Sequence, residues 1–548
     1  MVVFKSSYAP IPLPDIDVYS FLLSENEYNT AHPQDRKVVI DGPSGRSLTF
    51  SQVKNLASRM AAGWQDKVGL KKGDIVASFA PNQYDHIVVY LSLLGANVTV
   101  TPGNPAYTEA EFHHQISNSG AKALVTVPEL LPVLTKVCAK VGIPKDRIFL
   151  YGEKEVDGYK SVYSLLGERQ ILPPFKGINS KEDVAFICYS SGTTGLAKGV
   201  MLTHENFVSQ TLLMMGMKED NEEEFDDVVL GFLPFFHIFG LTVLCLNAFY
   251  AVTPVVVIPR FEIQMFCELI EKYKITLASI VPPVAVALAK HPIVTKYDLS
   301  SVRLLGCGAA PLGKEHIDAL AQRMPALLKQ GYGMTETTSG VITQKSTGGV
   351  AGSIGVLCPN HECKIVDVVS GKELGPDQEG ELLMRGPSIM KGYLNNPKAN
   401  AETFAEDGWM RTGDVCRFDS KAQEFFITDR LKELIKFKGF QVAPAELEAL
   451  LLGLPEVADC CVIGVFDTAQ ATELPRAYVV PQAGVKADDA FVQKISDYVA
   501  KNVTNYKRLR GGVRFIDQVP KNGSGKIMRR QVREMAKKED AAQAKAKL

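Results

Sequence analysis

Short apolar runs alternate with helix-patterned stretches along most of this chain, and that alternation constrains the fold more than any other feature. "DIVASFAP" (Asp74–Pro81) is followed by "HIVVYLSLLGA" (His86–Ala96) and "NVTVTP" (Asn97–Pro102). "KALVTV", "ITLASIVPP" and "VRLLGCGAA" repeat the theme further on. Strands this apolar are covered on both faces, which points to βαβ units and mostly parallel sheets. The 548 residues are too many for one ordinary domain and suggest roughly two to four units. We expect an α/β protein: a large N-terminal part of doubly wound α/β subdomains, a small β-rich subdomain, and a small α+β domain at the C-terminal end.

The texture changes near residue 365. "KIVDVVSGKELGPDQEGELLMRGPSIMKGY" carries short strands and turn residues, so the β-rich subdomain is placed at about 350–428. A shift to Lys-rich alternation after "FFITDR" marks a boundary. It gives residues 1–428, a junction at 429–432 and a C-terminal domain over 433–548. The closing "MRRQVREMAKKEDAAQAKAKL" reads as a charged helix ending in a solvated, fraying tail.

Composition excludes several classes. Lys plus Arg number 60 against 61 Asp plus Glu, a formal net charge of −1, which gives no electrostatic case for nucleic acid as the main partner. The ten cysteines show no recurring paired spacing and mostly sit in apolar runs, as buried thiols in a reducing compartment would. Cys358, His361 and Cys363 cluster, but zinc usually takes a second ligand pair at matched spacing and none is apparent. The N-terminus lacks the basic-then-apolar pattern of a signal peptide. Val228–Pro259 carries no formal charge with His237 neutral, yet Pro234, His237, Gly240, Asn247 and Pro254 interrupt it. It reads as a buried strand–helix–strand unit, not a membrane span.

"YSSGTTGLAKGV" (Tyr189–Val200) follows the apolar "VAFIC". Glycines let successive N–H groups converge on an anion; Ser190, Ser191, Thr193 and Thr194 add hydroxyl donors, and Lys198 adds a mobile cation. The combination suits a polyphosphate. It is not a Walker A loop, because Lys198 is followed by Gly199 and not by Ser or Thr.

Four more segments follow in order: "QGYGMTE" (Gln330–Glu336), "GWMRTGD" (Gly408–Asp414), "DRLKELIKFKGFQVAPAELE" (Asp429–Glu448) and "PKNGSGKIMRR" (Pro520–Arg530). With the hydroxyl loop they resemble the adenylate-forming superfamily over nearly the whole chain. That superfamily includes acyl- and aryl-CoA ligases, luciferase and the adenylation domains of peptide synthetases. "KGFQVAPAELE" and "GAAPLGKE" are most similar to 4-coumarate–CoA ligases and luciferase. The resemblance implies two half-reactions. A carboxylate attacks the α-phosphate of ATP to give an acyl-adenylate and pyrophosphate, and the thiol of coenzyme A then displaces AMP.

It also implies roles. The loop with Ser190, Ser191, Gly192, Thr193, Thr194, Gly195 and Lys198 would hold the β- and γ-phosphates. Tyr332 would lie against adenine, Thr335 would meet the α-phosphate, and Thr335 with Glu336 would bind Mg²⁺, whose preference is for hard oxygen ligands. Asp414 would accept from the ribose hydroxyls, and Arg430 would reach ribose or phosphate. Gly308, Ala309, Ala310, Gln330, Gly331, Gly333, Met334, Ile427, Phe440 and Gln441 would complete the cofactor sites. Lys526 would stabilise the charge of the adenylation transition state. Lys436, Lys438 and Gly439 would serve thioester formation after the small domain rotates about 429–432, and His237 would line the acyl site and the thiol path.

By the same resemblance the acyl pocket is built from His237–Thr242, Gly306–Ala310, Gly331–Met334 and Thr337–Val341. His237, Phe239, Thr242, Gly306, Ala309, Gly331, Gly333, Ser339 and Gly340 would touch the substrate. No Asp or Glu falls between Asp227 and Glu262 to pair an α-ammonium, which speaks against an amino-acid substrate. Phe239 stands where hydroxycinnamate ligases commonly have Tyr, and "TETTSG" replaces their "TEAGPV". The small Ser339 and Gly340 suggest a deeper pocket for a longer or bulkier acid. The leading expectation is an aryl- or fatty-acid–CoA ligase using ATP, Mg²⁺ and coenzyme A. The alternatives are a luciferase-like monooxygenase and a nucleotide-binding regulator without catalysis. The closing "AKL" resembles a Ser-Lys-Leu peroxisomal address, which makes the peroxisomal import receptor a candidate partner and sets peroxisome beside cytosol as the expected location.

Overall fold

The computed structural model describes all residues except 1, 175–176, 191–196, 218–225, 309–311, 313, 325, 346–347, 432, 438–439, 468–469, 471, 523–524 and 547–548. Ile75–Phe79 pairs in parallel with both Thr99–Gly103 and Ala123–Thr126. These strands form the middle of an eight-stranded sheet. The helix His86–Gly95 between the first two is buried along its whole length, as a helix apolar all round must be. A nine-stranded sheet holds the second set of apolar runs. Val229–Gly231, Val255–Val257, Leu277–Ile280, Leu304–Cys307 and Leu327–Met334 are linked by parallel pairings. The uncharged stretch is the expected strand–helix–strand unit. Ile238–Gly240, a π-helical segment Leu241–Asn247 and Ala248–Tyr250 join the two parallel strands Val229–Gly231 and Val255–Val257. Among the described residues no helix is long and apolar enough to cross a membrane.

The β-rich region is built differently from the expectation at its edges. Its six-stranded sheet runs through Glu362–Val366, Glu379–Arg385, Met410–Asp419 and Glu424–Arg430, but its outer strand is Phe4–Lys5 from the start of the chain. Val356–Leu357 instead caps the nine-stranded sheet. Gly392–Tyr393 pairs with Lys198–Thr203 in the eight-stranded one, which brings Tyr393 beside the phosphate-loop strand. Two-residue strands have no periodicity to read, so these exchanges are set by tertiary packing.

Past residue 430 the chain forms a separate core around Ile435, Val442, Leu447, Val479 and Ile495. Val457–Asp467 and Thr472–Pro481 make a long antiparallel pair, with Gly512–Phe515 added in parallel. The charged helix expected near the end of the chain is present, and the residues after it lie outside the described ones. Arg529–Ala546 is an 18-residue helix that buries Val532 and Ala536 against this sheet. Tyr478 donates its hydroxyl to Glu539 at 2.7 Å and Arg476 pairs with Asp540 at 2.8 Å, fixing the helix further along.

All ten cysteines are buried free thiols. His361, beside Cys358 and Cys363, has both ring nitrogens in hydrogen bonds, to the Pro359 carbonyl and the Ser388 hydroxyl.

Candidate active site

A cavity of about 960 Å³ opens between the large N-terminal part and the C-terminal loop that carries Lys526. One wall is the hairpin of Leu327–Met334 and Ser339–Thr343. Its strands approach so closely that a Cβ on Gly333 would sit 1.9 Å from the Ser339 carbonyl oxygen, so only glycine fits. Thr338 and Ser339 carry φ angles of 55° and 87°, a left-handed backbone that costs on the order of 1–3 kcal/mol for each non-glycine residue. Side chains hold the turn in place. Thr337 accepts from the Met334 N–H at 2.9 Å and donates to the Ser339 carbonyl at 2.7 Å, and Thr338 donates to the Ser388 carbonyl at 2.7 Å.

This turn delivers Glu336. Its carboxylate is buried, and Oε1 accepts from the Ser190 hydroxyl at 3.1 Å and the Tyr393 hydroxyl at 2.8 Å. Among the described residues both of these bonds fall on one oxygen, which leaves Oε2 to a cation. A hard carboxylate with a hydroxyl beside it is the donor chemistry Mg²⁺ takes, so the residues present fit that ion. Tyr393 also carries the Lys198 ammonium 4.0 Å from its ring centroid. One tyrosine thus connects the Glu336 carboxylate with the Lys198 ammonium.

Asp414 is the second buried carboxylate on the wall. Tyr332 donates its hydroxyl to Oδ2 at 2.6 Å and Arg430 approaches Oδ1 at 3.3 Å. Burial pushes the Tyr332 phenol well above its ordinary range, and the adjacent Asp414 charge adds to this.

Lys526 enters from the other side. Its N–H bonds the Asn522 side chain at 2.9 Å, and Asn522 N–H bonds the Lys526 carbonyl at 2.9 Å, closing a tight loop. Gly525, at φ +79°, passes over Pro283 and Val281 at the start of the helix Pro282–Lys290. Burial, and after it the nearby Arg430 charge, lowers the Lys526 ammonium to about 8, against Glu433, Asp414 and Glu336, which raise it. The ammonium is thus within electrostatic reach of the Asp414 and Glu336 carboxylates. His237 lines the same cavity, caps the helix Ile238–Gly240 by accepting from the Phe239 N–H, and is held neutral. Its imidazole is lowered to about 4, first by burial and then by Lys526.

A model of the AMP-binding enzyme family matches residues 26–394, and one of the AMP-binding enzyme C-terminal domain matches 446–526. The chain belongs to the AMP-binding enzymes. Among relatives, a 4-coumarate–CoA ligase of Pinus taeda is 39% identical over 95% of this chain and 96% of its own length. The peroxisomal OPC-8:0-CoA ligase 1 of Arabidopsis thaliana is 38% identical over 97% and 96%. Among solved structures, ATP-bound MatB from Rhodopseudomonas palustris is 27% identical, with TM-score 0.83 over 95% of this chain and 99% of that one. The fold expected from the sequence, a large α/β part followed by a small C-terminal one, is the fold of these AMP-binding enzymes.

Most of the expected site residues of this AMP-binding enzyme share the one cavity. Ser190, Lys198, His237, Phe239, Gly306, Gly308, Gly331, Tyr332, Gly333, Met334, Thr335, Glu336, Ser339, Gly340, Asp414, Arg430 and Lys526 all line it. Four do not. Thr242 is fully buried in the π-helical segment, off the cavity wall. Gln330 turns away and accepts from the Leu312 N–H at 2.9 Å. Ile427 packs into the β-rich core. Lys436 is exposed on the strand Ile435–Phe437, outside the cavity. Ser191, Gly192, Thr193, Thr194, Gly195, Ala309, Ala310, Lys438 and Gly439 lie outside the described residues, as do the side chains of Phe440 and Gln441. The structure adds wall residues that sequence reasoning passed over: Tyr393, Lys521, Asn522, Gln210, Met214 and Met217. No motif marked Gln210 or Tyr393, because their importance comes from partners distant in sequence.

Proposed function

We propose that this chain is an ATP-dependent carboxylate–CoA ligase that activates an aryl or fatty acid as its acyl-adenylate and passes the acyl group to coenzyme A. The observation that carries the reading is the meeting of Glu336, Asp414, Arg430 and Lys526 on one cavity, reached from two separately built parts of the chain. Asp414 exchanges its Tyr332 and Arg430 contacts for the ribose hydroxyls, and Tyr332 flanks the adenine. Ser190, Lys198 and the loop that follows Ser190 hold the β- and γ-phosphates. Thr335 and Glu336 hold Mg²⁺, which when bound supplies charge neutralisation on the phosphates. The acid's carboxylate oxygen attacks the α-phosphorus and pyrophosphate leaves with the bonding pair. The Lys526 ammonium stabilises the oxygens that gain charge, without transferring its proton.

In the second half-reaction the sulfur of coenzyme A attacks the acyl carbonyl carbon, the thiol proton is lost, and AMP departs with the bonding pair. Two observations support a rotation of the C-terminal domain (433–548) against residues 1–428 between the half-reactions. Lys436 lies outside the cavity while Lys526 lies inside it, and the expected junction 429–432 begins on the last two residues of the strand Glu424–Arg430, where that sheet ends. Lys436, Lys438 and Gly439 would face the thiol path after that rotation, with neutral His237 lining it.

The names of the relatives support the acid class, and the apolar wall residues Phe239, Val243, Met214 and Met217 suit an apolar acyl body. The resemblance of "AKL" to a peroxisomal address, with one relative named as peroxisomal, supports a peroxisomal location through the import receptor. Imaging the chain with and without its last three residues tests this; identical cytosolic distribution of both would overturn it. The function itself is tested with cinnamates, phenylacetates and fatty acids. At least one must drive exchange of labelled pyrophosphate into ATP and coenzyme A-dependent AMP release. Exchange without any thioester product would remove the coenzyme A half of the reading.

A further inference from the structure

Gln210 lies on the helix His204–Met215 and lines the cavity with Met214, one turn further along the same face. Among the described residues, Met217 and Val243 line the cavity with them and carry no charge, and Gln210 is the amide of this group. The Gln210 side chain is 1% exposed. Its orientation is fixed from behind. The Thr211 hydroxyl donates to Asn247 Oδ1 at 2.7 Å, and the Asn247 amide then donates to Gln210 Oε1 at 3.3 Å. What remains is the donor end, Nε2, which has no acceptor among the described residues. A buried N–H without a partner is costly, and such groups in folded proteins need an explanation. Gln115 donates to Thr101 and Pro102, and Gln344 donates to Val350 and Ser353, whereas the buried Gln330 Nε2, off the cavity wall, shares the lack of an acceptor.

We propose that Gln210 is a specificity residue whose Nε2 donates to an oxygen on the acyl group. The preferred acid then carries a hydrogen-bond acceptor (a ketone, ether or phenol oxygen) on an otherwise apolar body. This deepens the carboxylate-activation reading and rests on it. An acid lacking the oxygen buries the amide unanswered and loses affinity, which is how a site built around one hydrogen bond rejects an isostere. An acid bearing an ammonium at that place is disfavoured more strongly, because both groups are donors and the described wall residues beside Gln210, namely Met214, Met217 and Val243, carry no charge to pair it.

The test measures equilibrium binding, so it does not depend on turnover. A series of non-hydrolysable acyl-sulfamoyl adenosines, with a ketone walked along a chain of fixed length, is titrated by calorimetry against the all-methylene parent. At one ketone position the wild-type protein should bind at least about tenfold more tightly than to the parent, a difference of about 1.4 kcal/mol. Gln210→Leu and the near-isosteric Gln210→Met should reduce that ratio to about one. Tight binding of the parent with no preference at any position overturns the assignment of Gln210 and leaves the carboxylate-activation reading standing. A preference that persists in both variants also overturns it. Failure of every analogue, the parent included, sinks both. If one variant fails to fold, the ratio in the other decides the matter.

Discussion

Two arginine–carboxylate sets in this molecule are opposite in character. Arg430 approaches Asp414 at 3.3 Å, on the wall of the cavity, with Tyr332 sharing the carboxylate. Arg529 meets Glu433 at 2.7 Å and Glu448 at 2.5 Å in a dry interior, with all three side chains at most 10% exposed. Glu448 is tied in further by the Val462 N–H at 2.7 Å. The first set is loose and open to a ligand, so its partners can be exchanged. The second is closed and leaves no room for one. Arg529 stands three residues after Lys526, and Glu433 lies at the beginning of the C-terminal part. The closed set therefore fixes the root of the loop that reaches into the open set. A rigid anchor of this kind is what the role proposed for Lys526 requires.

The largest expected effect comes from breaking the closed set. Arg529→Met leaves two buried carboxylates without their shared cation and should destabilise the C-terminal core by about 3–5 kcal/mol in denaturant unfolding. Replacing all three residues together with apolar side chains should cost far less than the single change. If the single variant unfolds like wild type, the contrast between the two sets collapses.

Lys526→Ala removes the charge from the open side without touching the anchor. Adenylate formation should fall by about 10²–10³-fold, while acyl transfer from supplied acyl-adenylate persists and the melting temperature holds. Equal loss of both half-reactions would show that the loop is structural.

Titration sharpens the same point. With Lys526 lowered to about 8, the adenylation rate of the free enzyme, read as kcat/KM, should decline about tenfold for each unit as pH rises above that value. Lys526→Arg, which keeps its charge, should abolish that alkaline limb even at reduced rate. On stability the sign is reversed. Between about 8 and its ordinary value the unfolded chain holds a proton that the folded one has shed, so this contribution to stability rises with pH.

The smallest effect is expected at the exchangeable contact. Tyr332→Phe removes one hydrogen bond to Asp414 and should alter stability by no more than about 1 kcal/mol. Unfolding curves of apo and ATP-saturated protein would check this, and a severe apo defect would mean that Asp414 is locked like Glu433.

Much of this architecture was legible because apolar runs and ordered motifs are local. The eight- and nine-stranded sheets follow runs such as Asp74–Pro81 and Ile275–Pro283, and the cavity follows Gln330–Glu336, Gly408–Asp414 and Lys526. What escaped depends on remote neighbours. Phe4–Lys5 and Gly392–Tyr393 are too short to carry a pattern. Arg529 reads as one more basic residue near a chain end until Glu433 and Glu448 are seen around it, and Gln210 as an ordinary helix residue until Asn247 orients it. Thr242 is one residue from the wall residue Val243, and a single step along the helix carries it off the wall, while Ile427 and Lys436 lie on strands whose side chains near them face other packing.

The helix Arg529–Ala546 has a practical bearing. Its grip on the sheet is concentrated at Val532, Ala536, Glu539 and Asp540. A receptor, tag or surface tether that seizes the end of this helix pulls on a segment already clamped some distance inward, so force applied there meets the clamp before it reaches Lys526.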